Sequence, residues 1–458
     1  MNATHTASPA RAPGPPGKLL VGNLLDASRR ENRLAHFVHV WQTYGDIVRL
    51  DLGPLPFFLL TRPDHVHHVL VAHAANYPKG RGYNKLKLFL GDGIFTSEGD
   101  LWRRQRRLLQ PLFTPQSVGR FESHMRRAID GLLAEWESAA ASGQELDINQ
   151  EMMKLAMNVI SLVMFGFEIG ARAREAADAF SAMLRFVSER SVSAIDLPLA
   201  IPTAANRRAQ AAMDRVNAFM AEIVAERRAD PTEHDDLLAL LLAVRDPDSG
   251  AAMSEEQLRA ELLTNFFAGH ETTAQALTWM WYLLSLHPGV RAQLEEELAR
   301  VLGGRAPTLA DLPNLTLTRA IIDETLRLYP PVWGYVRQAL AADEIDGYHI
   351  PAGAMVMVSP FITHRLPTIW PNPEGFDPGR WMSEQGAGRP KHAYFPFGAG
   401  PRVCIGNNFA LLEMRLMLAT AAQRFHLDLQ PGFRPVLESV ASLRPAGGMP
   451  MTLTPRTP

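Results

Sequence analysis

The sequence contains a single cysteine, Cys404, among 458 residues. A lone thiol can form no internal disulfide, so Cys404 is a buried bystander, a reactive thiol or a metal ligand. Zinc fits poorly, because a structural zinc site needs about four close ligands and the chain offers no second thiol. The scarcity of cysteine, together with the lack of an export signal, favours a reducing, cytoplasmic location.

Three other features are absent, and each argues against a class of protein. No run approaches the ~18–20 consecutive apolar residues of a membrane-spanning helix, so no membrane anchor is expected. The formal net charge of −2 gives no excess of basic residues, so no nucleic-acid partner is expected. No low-complexity linker is present, and residues 18–458 are expected to form a single domain. Residues 1–17, rich in Ala, Pro and Thr, are expected to be a disordered N-terminal tail.

Apolar residues recur at helical spacing along most of the chain, whereas strand-like alternation is confined to short segments. These patterns predict a mainly α fold with small β-sheets. Residues 74–97 are predicted to be a long loop, and 192–205 a break between helices. The predicted strands lie at 47–50 and 57–60, around a Gly53-Pro54 turn, and within 332–363 and 427–458. The predicted helices cover 33–44, 63–73, 99–110, 116–140, 149–165, 173–191, 206–229, 234–245, 254–286, 289–302 and 315–329.

The only cysteine lies in a glycine-rich segment, residues 394–406. Its glycines allow backbone conformations and close approaches that other residues resist. Arg402, two positions before the sulfur, is a cation that favours the thiolate. The helical pattern after Gly406 places Cys404 near a helix N-terminus, which also stabilises negative charge. One thiolate can be the only protein ligand of a haem iron, since the porphyrin supplies four nitrogens.

This segment resembles the haem-thiolate signature of the cytochrome P-450 family. The pattern F-x-x-G-x-R-x-C-x-G over residues 397–406 matches the signature at every defined position. The resemblance implies a haem b cofactor with the Cys404 thiolate on its iron, and with Phe397, Gly398 and Arg402 in the haem-binding set. It also implies the family fold, a helical triangular prism in which haem lies between the long central helix and the Cys404 loop.

The longest predicted helix, 254–286, carries an unusual segment at its centre, residues 268–273 (Ala-Gly-His-Glu-Thr-Thr). Glycine beside hydroxyl residues is unfavourable inside a helix, so the segment marks either a functional site or a helix that kinks for packing. It resembles the oxygen-activation motif of the same family. The resemblance implies three catalytic residues: Ala268 leaves room for dioxygen, Thr272 holds a water through its hydroxyl, and Glu271 relays protons.

Glu324 and Arg327 are three positions apart on a predicted helix, where surface ion pairs are common. Asp323, four positions before Arg327, is an alternative partner. Glu324 and Arg327 match the family's Glu-x-x-Arg motif, which implies a buried network with a basic residue of a later loop, here Arg380. The residues that flank Arg380 differ from the Glu and Phe that the family more often has there.

Trp102 and Arg106 share one face of the helix predicted over 99–110. Spacing alone leaves open a solvated basic helix. The resemblance assigns both residues to a haem propionate, through the family's Trp-x-x-x-Arg pattern, and assigns Arg337 and Arg402 to propionates as well.

The pocket above the haem is expected to be apolar, and the substrate a hydrophobic small molecule. A fatty acid, a terpenoid and a macrocyclic natural product all remain open. Phe95 corresponds to a position near the iron in fatty-acid-hydroxylating relatives. Each pocket candidate could equally be a core residue. The candidates are Phe95, Phe267, Ala268, Val332, Trp333 and Met449.

The resemblance extends from about Gly17 to Thr452. It implies a monooxygenase that inserts one oxygen atom of dioxygen into a C–H or C=C bond and releases the other as water. No glycine-rich dinucleotide fingerprint follows the motifs, so electrons are expected from a separate ferredoxin or flavodoxin with its NAD(P)H-dependent reductase. The protein is expected to be a monomer.

Two other functions remain open. A haem-thiolate peroxygenase or isomerase would not activate dioxygen, and such relatives usually lose the acid–alcohol pair that Glu271 and Thr272 form here. A non-catalytic haem sensor would need neither that pair nor an apolar pocket.

Overall fold

The computed structural model describes residues 10–17, 22–23, 33–80, 82–168, 179, 182–183, 186, 198–382 and 388–456. The chain is 54% helical and its sheets are small, which confirms the predicted fold class. The helix predicted over 173–191 and the first part of the break predicted over 192–205 lie largely outside the described residues. No helix within the described ranges is long and apolar enough to span a membrane.

The observed helices agree with most of the predicted ones to within a few residues. A π-helical turn, His68–Ala72, directly follows the helix Pro63–His67. In chain order the helices are α1 (Arg33–Tyr44), α2 (Pro63–His67), α3 (Gly82–Leu90), α4 (Gly99–Leu109), α5 (Pro115–Gly119), α6 (Glu122–Ser142), α7 (Ile148–Phe165), α8 (Ala204–Ala229), α9 (Leu237–Ala243), α10 (Glu255–Leu286), α11 (Pro288–Leu302), α12 (Thr316–Leu328), α13 (Pro360–Thr363) and α14 (Asn407–Arg424).

The strands are short, and all except β3 cluster in three stretches of the chain. They are β1 (Ile47–Leu52), β2 (Leu55–Leu60), β3 (Glu145–Asp147), β4 (Tyr335–Gln338), β5 (Asp343–Ile345), β6 (Tyr348–Ile350), β7 (Met355–Val358), β8 (Phe425–Leu429), β9 (Val436–Ser439), β10 (Leu443–Ala446) and β11 (Pro450–Pro455).

Contacts divide the chain into two compact units. The expectation from the sequence, a single domain over residues 18–458, stays a prediction. The first unit comprises residues 1–81, 332–375 and 387–404, and the second comprises 82–331, 376–386 and 405–458.

A four-stranded sheet organises the first unit, in the order β1-β2-β7-β4. β1 and β2 form the hairpin predicted at Gly53-Pro54, and Gly53 adopts a φ of +61°, a conformation that favours glycine. β2 runs parallel to β7, and β4 runs antiparallel to it. Alternate residues of β2 and β7, such as Phe58 and Val356, are fully buried and build the core of this unit.

Residues 10–17, which we expected to belong to the disordered tail, pack along the first unit instead. Arg49 donates its backbone N–H to Pro13 O at 2.8 Å, and Ala12 is buried in the core. Gly14 lies so close that a Cβ there would be 1.9 Å from the carbonyl oxygen of Arg49. A proline-rich segment has few donors, but it can run beside a strand that supplies them. The expectation of disorder is therefore wrong for residues 10–17.

The second unit is built around α10, which is buried along most of its length. Ser254 caps this helix by accepting a hydrogen bond from Gln257 N at 3.2 Å, as its sequence predicts. The helix has 32 residues and is therefore about 48 Å long. α7 packs beside it, and Gln275 of α10 donates to Asn149 Oδ1 of α7 at 3.0 Å. Two small sheets, β3-β11-β8 and β9-β10, complete the unit.

The long loop predicted over 74–97 contains a helix, α3. Its residues 85–88 alternate Lys and Leu with a period of two, which conceals the helical spacing. The helix buries two large side chains at its C-terminal end, Phe89 and Leu90, and leaves Leu88 exposed. Tertiary burial therefore decides the structure of this segment.

Glu324 of α12 is fully buried, and hydrogen-bond donors surround its carboxylate. Arg327 Nε and Nη2 donate to its two oxygens, each at 2.8 Å. Arg380 Nε and the backbone N–H of Asp377 donate to Oε1, at 2.9 Å and 3.0 Å, and Trp381 Nε1 donates to Oε2 at 2.9 Å. Burial opposes ionisation, but the hydrogen bonds and charge of Arg327 outweigh it, so the pKa of Glu324 is lowered.

The alternative partner considered for Arg327 is engaged elsewhere. Asp323 pairs with Arg319, at 2.7 Å between Oδ2 and Nε. The structure thus unites Glu324, Arg327 and Arg380, the three residues that the resemblance grouped, in one buried network.

Candidate active site

The Cys404 segment forms a tight loop in the first unit, closed by backbone hydrogen bonds. Cys404 N donates to Phe397 O at 2.9 Å, and Val403 N donates to Gly400 O at 3.1 Å. Cys404 is exposed, although free cysteine is among the most buried residue types. The possibility of a buried bystander is therefore wrong. A reactive thiol and a metal ligand both require the accessible sulfur that this loop presents.

Two glycines of this loop adopt positive φ angles, +79° at Gly398 and +67° at Gly400. Gly400 lies against the π-helical turn, where a Cβ would be 2.0 Å from Leu70 O. Gly398 has more room, because the nearest atoms to its Cβ position would be ring carbons of Tyr335 at 3.5 Å. The loop therefore tolerates no side chain at Gly400.

Two side chains that the sequence analysis did not assign hold the loop in place. Tyr335 donates its hydroxyl to Pro396 O at 2.9 Å, and the fully buried His364 accepts a hydrogen bond from Phe395 N at 2.9 Å. His364 lies 31 residues from its partner in sequence, and no local pattern marks it.

Arg337 of β4 has the environment of an anion-binding residue. It is only 5% exposed, and its guanidinium donates from Nη1 to Val336 O at 2.9 Å. Among the residues that the structure describes, no carboxylate lies within 4.0 Å of it. A buried guanidinium that has no acidic partner is costly. The position therefore favours an anionic ligand, and Arg402 of the Cys404 loop is a half-buried second cation in the same unit.

Trp102 and Arg106 lie one turn apart on α4 and are both half-buried. Arg103 and Arg107, by contrast, are exposed and pair with Asp100 and Asp248 at the surface. The alternative of a fully solvated basic face therefore applies to Arg103 and Arg107. It is wrong for Trp102 and Arg106. The role of Trp102 and Arg106 in propionate binding stays a prediction.

The centre of α10 is accessible to solvent, although most of this helix is buried. Ala268 is exposed, and Phe267, Gly269 and Thr272 are half-buried, while their neighbours on both sides are buried. Thr272 Oγ1 donates to Ala268 O at 2.9 Å. The small residue and the hydroxyl, one turn apart on one face, therefore remain accessible to a ligand.

Glu271 is nearly buried, and a serine that the sequence did not reveal holds its carboxylate. Ser442 Oγ donates to Glu271 Oε1 at 2.6 Å, across 171 residues of sequence. The neighbouring His270 is buried and donates from Nδ1 to Phe266 O at 3.2 Å. Burial lowers the pKa of His270, so it stays neutral and places no positive charge beside Glu271.

Gly269 has a packing role in the same segment. A Cβ at this position would lie 2.6 Å from Cδ1 of Ile160 on α7. The packing explanation considered for this glycine is therefore supported for Gly269 itself. It does not extend to the accessible Ala268 and Thr272.

Glu261, two turns before Ala268 on α10, is a buried acid that the sequence analysis missed. Its Oε2 accepts a hydrogen bond from Ile94 N at 3.1 Å, and its Oε1 has no partner among the described residues. Burial raises the pKa of Glu261 to about 8, so the carboxyl is protonated at neutral pH. An acid inside the apolar pattern of a long helix was the available signal. Ile94 directly precedes the predicted pocket residue Phe95.

The predicted pocket residues fall into two groups. Phe95, Phe267, Ala268 and Val332 keep accessible surface. Trp333 is nearly buried, with its ring centroid 6.0 Å from that of Phe37, and Met449 is fully buried. The role of all six in substrate binding stays a prediction.

Comparisons with known proteins show the family to which the chain belongs. The family model described as Cytochrome P450 matches residues 12–448. Cyclooctatin synthase from Streptomyces melanosporofaciens is 33% identical over 98% of this chain and 94% of its own. Pentalenene oxygenase from Streptomyces avermitilis is 31% identical over 99% of each chain. The crystal structure of the cytochrome P450DA heme domain matches with a TM-score of 0.90 at 28% identity, over 99% of each chain.

The chain therefore belongs to the cytochrome P450 family. It is a monooxygenase that inserts one oxygen atom of dioxygen into a hydrophobic small molecule and draws electrons from a redox partner. Its cofactor is haem b with a cysteine thiolate as the axial ligand. Because the sequence has one cysteine, Cys404 is the only candidate for that ligand.

The residues of the first unit fit this cofactor on structural grounds. Cys404 presents an accessible thiol from a loop of fixed shape. Arg337 supplies a buried cation, and no carboxylate among the described residues pairs with it. A haem propionate needs such a cation as its partner.

We expect Gly400→Ala to prevent correct folding of the Cys404 loop, because the new Cβ would overlap Leu70 O. Gly353→Ala is the matched control, since it adds the same methyl group at a φ of +82° in the same unit but meets no atom within 4 Å. Its cost should be limited to about 1–2 kcal/mol of backbone strain. Haem content per chain, from the Soret absorbance of purified protein, should fall several-fold more in Gly400→Ala. Equal haem content in the two variants would contradict this account of the loop.

We expect Glu261→Gln to make the protein less sensitive to rising pH. A carboxyl with a pKa of about 8 when folded and about 4.5 when unfolded keeps its proton only in the folded state between these values. Stability therefore falls as pH rises through this window, by at most about 1.4 kcal/mol per pH unit. The glutamine variant lacks this loss and still offers an oxygen to Ile94 N.

Thermal midpoints at about pH 5.5 and about pH 8 measure this effect. The decrease between them should be smaller in Glu261→Gln than in the unmodified protein. Glu256→Gln, a change at an exposed acid on the same helix, is the control and should leave the decrease unaltered. The same decrease in all three proteins would show that Glu261 is already ionised.

Proposed function

We propose that this enzyme oxygenates a cyclic terpenoid, and that its haem iron is bound by the Cys404 thiolate. One observation supports this assignment of the iron ligand most directly: the only thiol in the chain is exposed. Positive-φ glycines and backbone hydrogen bonds fix the loop that carries it. Phe397 and Gly398 contact the haem beside this ligand. The substrate class is supported by cyclooctatin synthase and pentalenene oxygenase, terpenoid-modifying relatives that cover nearly the whole chain.

The haem propionates are bound by Arg337 together with Arg402, Arg106 and Trp102. Arg337 supports this assignment most directly, because a propionate would complete an ion pair that the described protein residues leave open. Charge-assisted hydrogen bonds of this kind are shorter and stronger than neutral ones. The indole and guanidinium groups of α4 are half-buried, which suits donors to a partly shielded carboxylate.

The bound haem supplies the activation of dioxygen, which electron donation from the thiolate favours. The helix α10 supplies the groups that handle protons. The Thr272 hydroxyl, which donates to Ala268 O in this structure, rotates to hold a water. Glu271 takes up or releases a proton at Oε2, while Ser442 holds its Oε1. Ser442 is thus a positioning residue, and Ala268 leaves the space in which oxygen binds.

The substrate contacts accessible apolar side chains, namely Phe95, Phe267, Ala268 and Val332. Trp333 and Met449, which are buried, complete the set of residues assigned to the substrate. A few polar groups within a largely apolar surface are typical of sites that bind small molecules.

Electrons come from a separate ferredoxin or flavodoxin and its NAD(P)H-dependent reductase, and the enzyme is a cytoplasmic monomer. The single cysteine supports a reducing compartment. A peroxygenase or isomerase is the competing function. Two observations argue against this competing function: the accessible position of Thr272, and the carboxylate of Glu271 that Ser442 holds. An enzyme that does not activate dioxygen needs neither group.

The substrate class is tested by titrating the ferric protein with cyclic terpenes, fatty acids and macrolides. A compound that displaces water from the iron shifts the Soret band to shorter wavelength. We expect cyclic terpenes to produce this shift at lower concentrations than the other two classes. A shift with fatty acids alone would overturn the terpenoid proposal and leave the family assignment intact.

The proton-handling role of Thr272 is tested by Thr272→Ala. Loss of a positioned hydroxyl should reduce the product formed per NADPH consumed by at least about tenfold, because protons then arrive without control. Thr278→Ala is the matched control, since Thr278 makes the same bond to Ala274 O at 2.8 Å but is fully buried. It should leave that ratio unchanged. A yield driven by peroxide and insensitive to Thr272→Ala would favour the peroxygenase.

A further inference from the structure

Three side chains in the first unit form a cluster that the haem chemistry does not use. His68, His73 and Asp343 each bring one ligand atom to the cluster, and these atoms all lie within 4.8 Å of one another. His68 Nε2 and Asp343 Oδ2 are 2.8 Å apart. His73 is exposed, and its two neighbours are half-buried, so the cluster is open to solvent on one side.

The π-helical turn brings the two histidines together. In an α-helix, residues five apart point about 140° away from each other. Here His73 N donates to His68 O at 2.9 Å, the i to i+5 bond of a π turn, and the two ring centroids are 4.0 Å apart. Such turns are rare and are frequently found at functional sites.

The third member is held in position by its own partners. Tyr77, which is buried, donates its hydroxyl to Asp343 Oδ2 at 2.7 Å, and Glu344 N donates to Oδ1 at 2.8 Å. Asn76 accepts hydrogen bonds from Leu340 N and Ala341 N, at 2.9 Å and 2.8 Å.

These bonds fix the chain after His73 to the chain before Asp343. The three ligand groups are therefore in place before any ion binds, which lowers the cost of binding. Hydrogen bonds to a ligating carboxylate also orient it towards the ion, which is the role that the Tyr77 hydroxyl would have here.

A second cluster close by shows what distinguishes the first. Asp64, His65 and Asp346 also group their ligand atoms, but Arg62 pairs with both carboxylates and already supplies a positive charge. In the described part of the chain, no lysine or arginine pairs with Asp343. The first cluster therefore has an unbalanced carboxylate beside two imidazoles.

We propose that His68, His73 and Asp343 bind one divalent transition-metal ion, for which Zn²⁺ is the best match. Two imidazoles and one carboxylate suit zinc and its neighbours better than calcium or magnesium, which prefer oxygen ligands. The ion takes the place of the proton between His68 and Asp343. Their separation must grow by about 0.5 Å to reach tetrahedral geometry. The exposed side leaves the remaining position to water.

Calorimetric titration of the haem-loaded protein with ZnCl₂, after removal of metals by a chelator, tests the proposal. We expect one ion per chain in the unmodified protein. His73→Ala should weaken binding by at least about tenfold, and Asp343→Asn should do the same. His73 has no side-chain hydrogen bond within the described residues, so its removal should not disturb the fold. An unchanged Soret band verifies this for each variant.

His39→Ala is the matched control, because His39 is an exposed histidine of the same unit outside the cluster. It should bind Zn²⁺ as tightly as the unmodified protein. Absence of saturable binding in the unmodified protein would overturn the proposal. Equal affinity in His73→Ala and His39→Ala would do so as well, since the ion would then be bound elsewhere on the surface.

Discussion

The ionised carboxylate of Glu324 has no exposed surface, and this one constraint shapes much of the second unit. A charge that water cannot reach must be balanced by protein donors. Arg327 comes from the same helix as Glu324, but Arg380 lies 56 residues after Glu324 in the chain. The charge is therefore satisfied only when α12 and the later stretch come together. Trp381, where the family more often has phenylalanine, adds a donor that the usual residue lacks.

The candidate site shows the opposite arrangement, because two of its buried groups find no complete set of partners in the described protein. Arg337 is buried without an acid, and Glu261 has an oxygen without a donor. At both residues a ligand or a bound proton completes what the protein leaves open, whereas protein groups alone satisfy the network around Glu324.

The sequence predicted the helices, the hairpin and the family, because these depend on local spacing and on motifs within a few residues. It could not predict that Ser442 holds Glu271, since the contact joins positions 171 residues apart. It missed α3, because burial of Phe89 outweighs a period-two pattern. It also gave no sign that His68 and His73 meet, since residues five apart diverge in an α-helix and only the π turn joins them.

Gly269 and Ile160 face each other so closely that a larger residue at one position displaces the side chain at the other. A methyl group on residue 269 would lie 2.6 Å from Cδ1 of the isoleucine. Alanine at 269 therefore requires Ile160 either to turn its Cδ1 away or to be replaced by a shorter side chain such as valine. Substitutions at the segment that carries the oxygen chemistry thus depend on the packing of α7, a helix to which the proposal assigns no reacting residue.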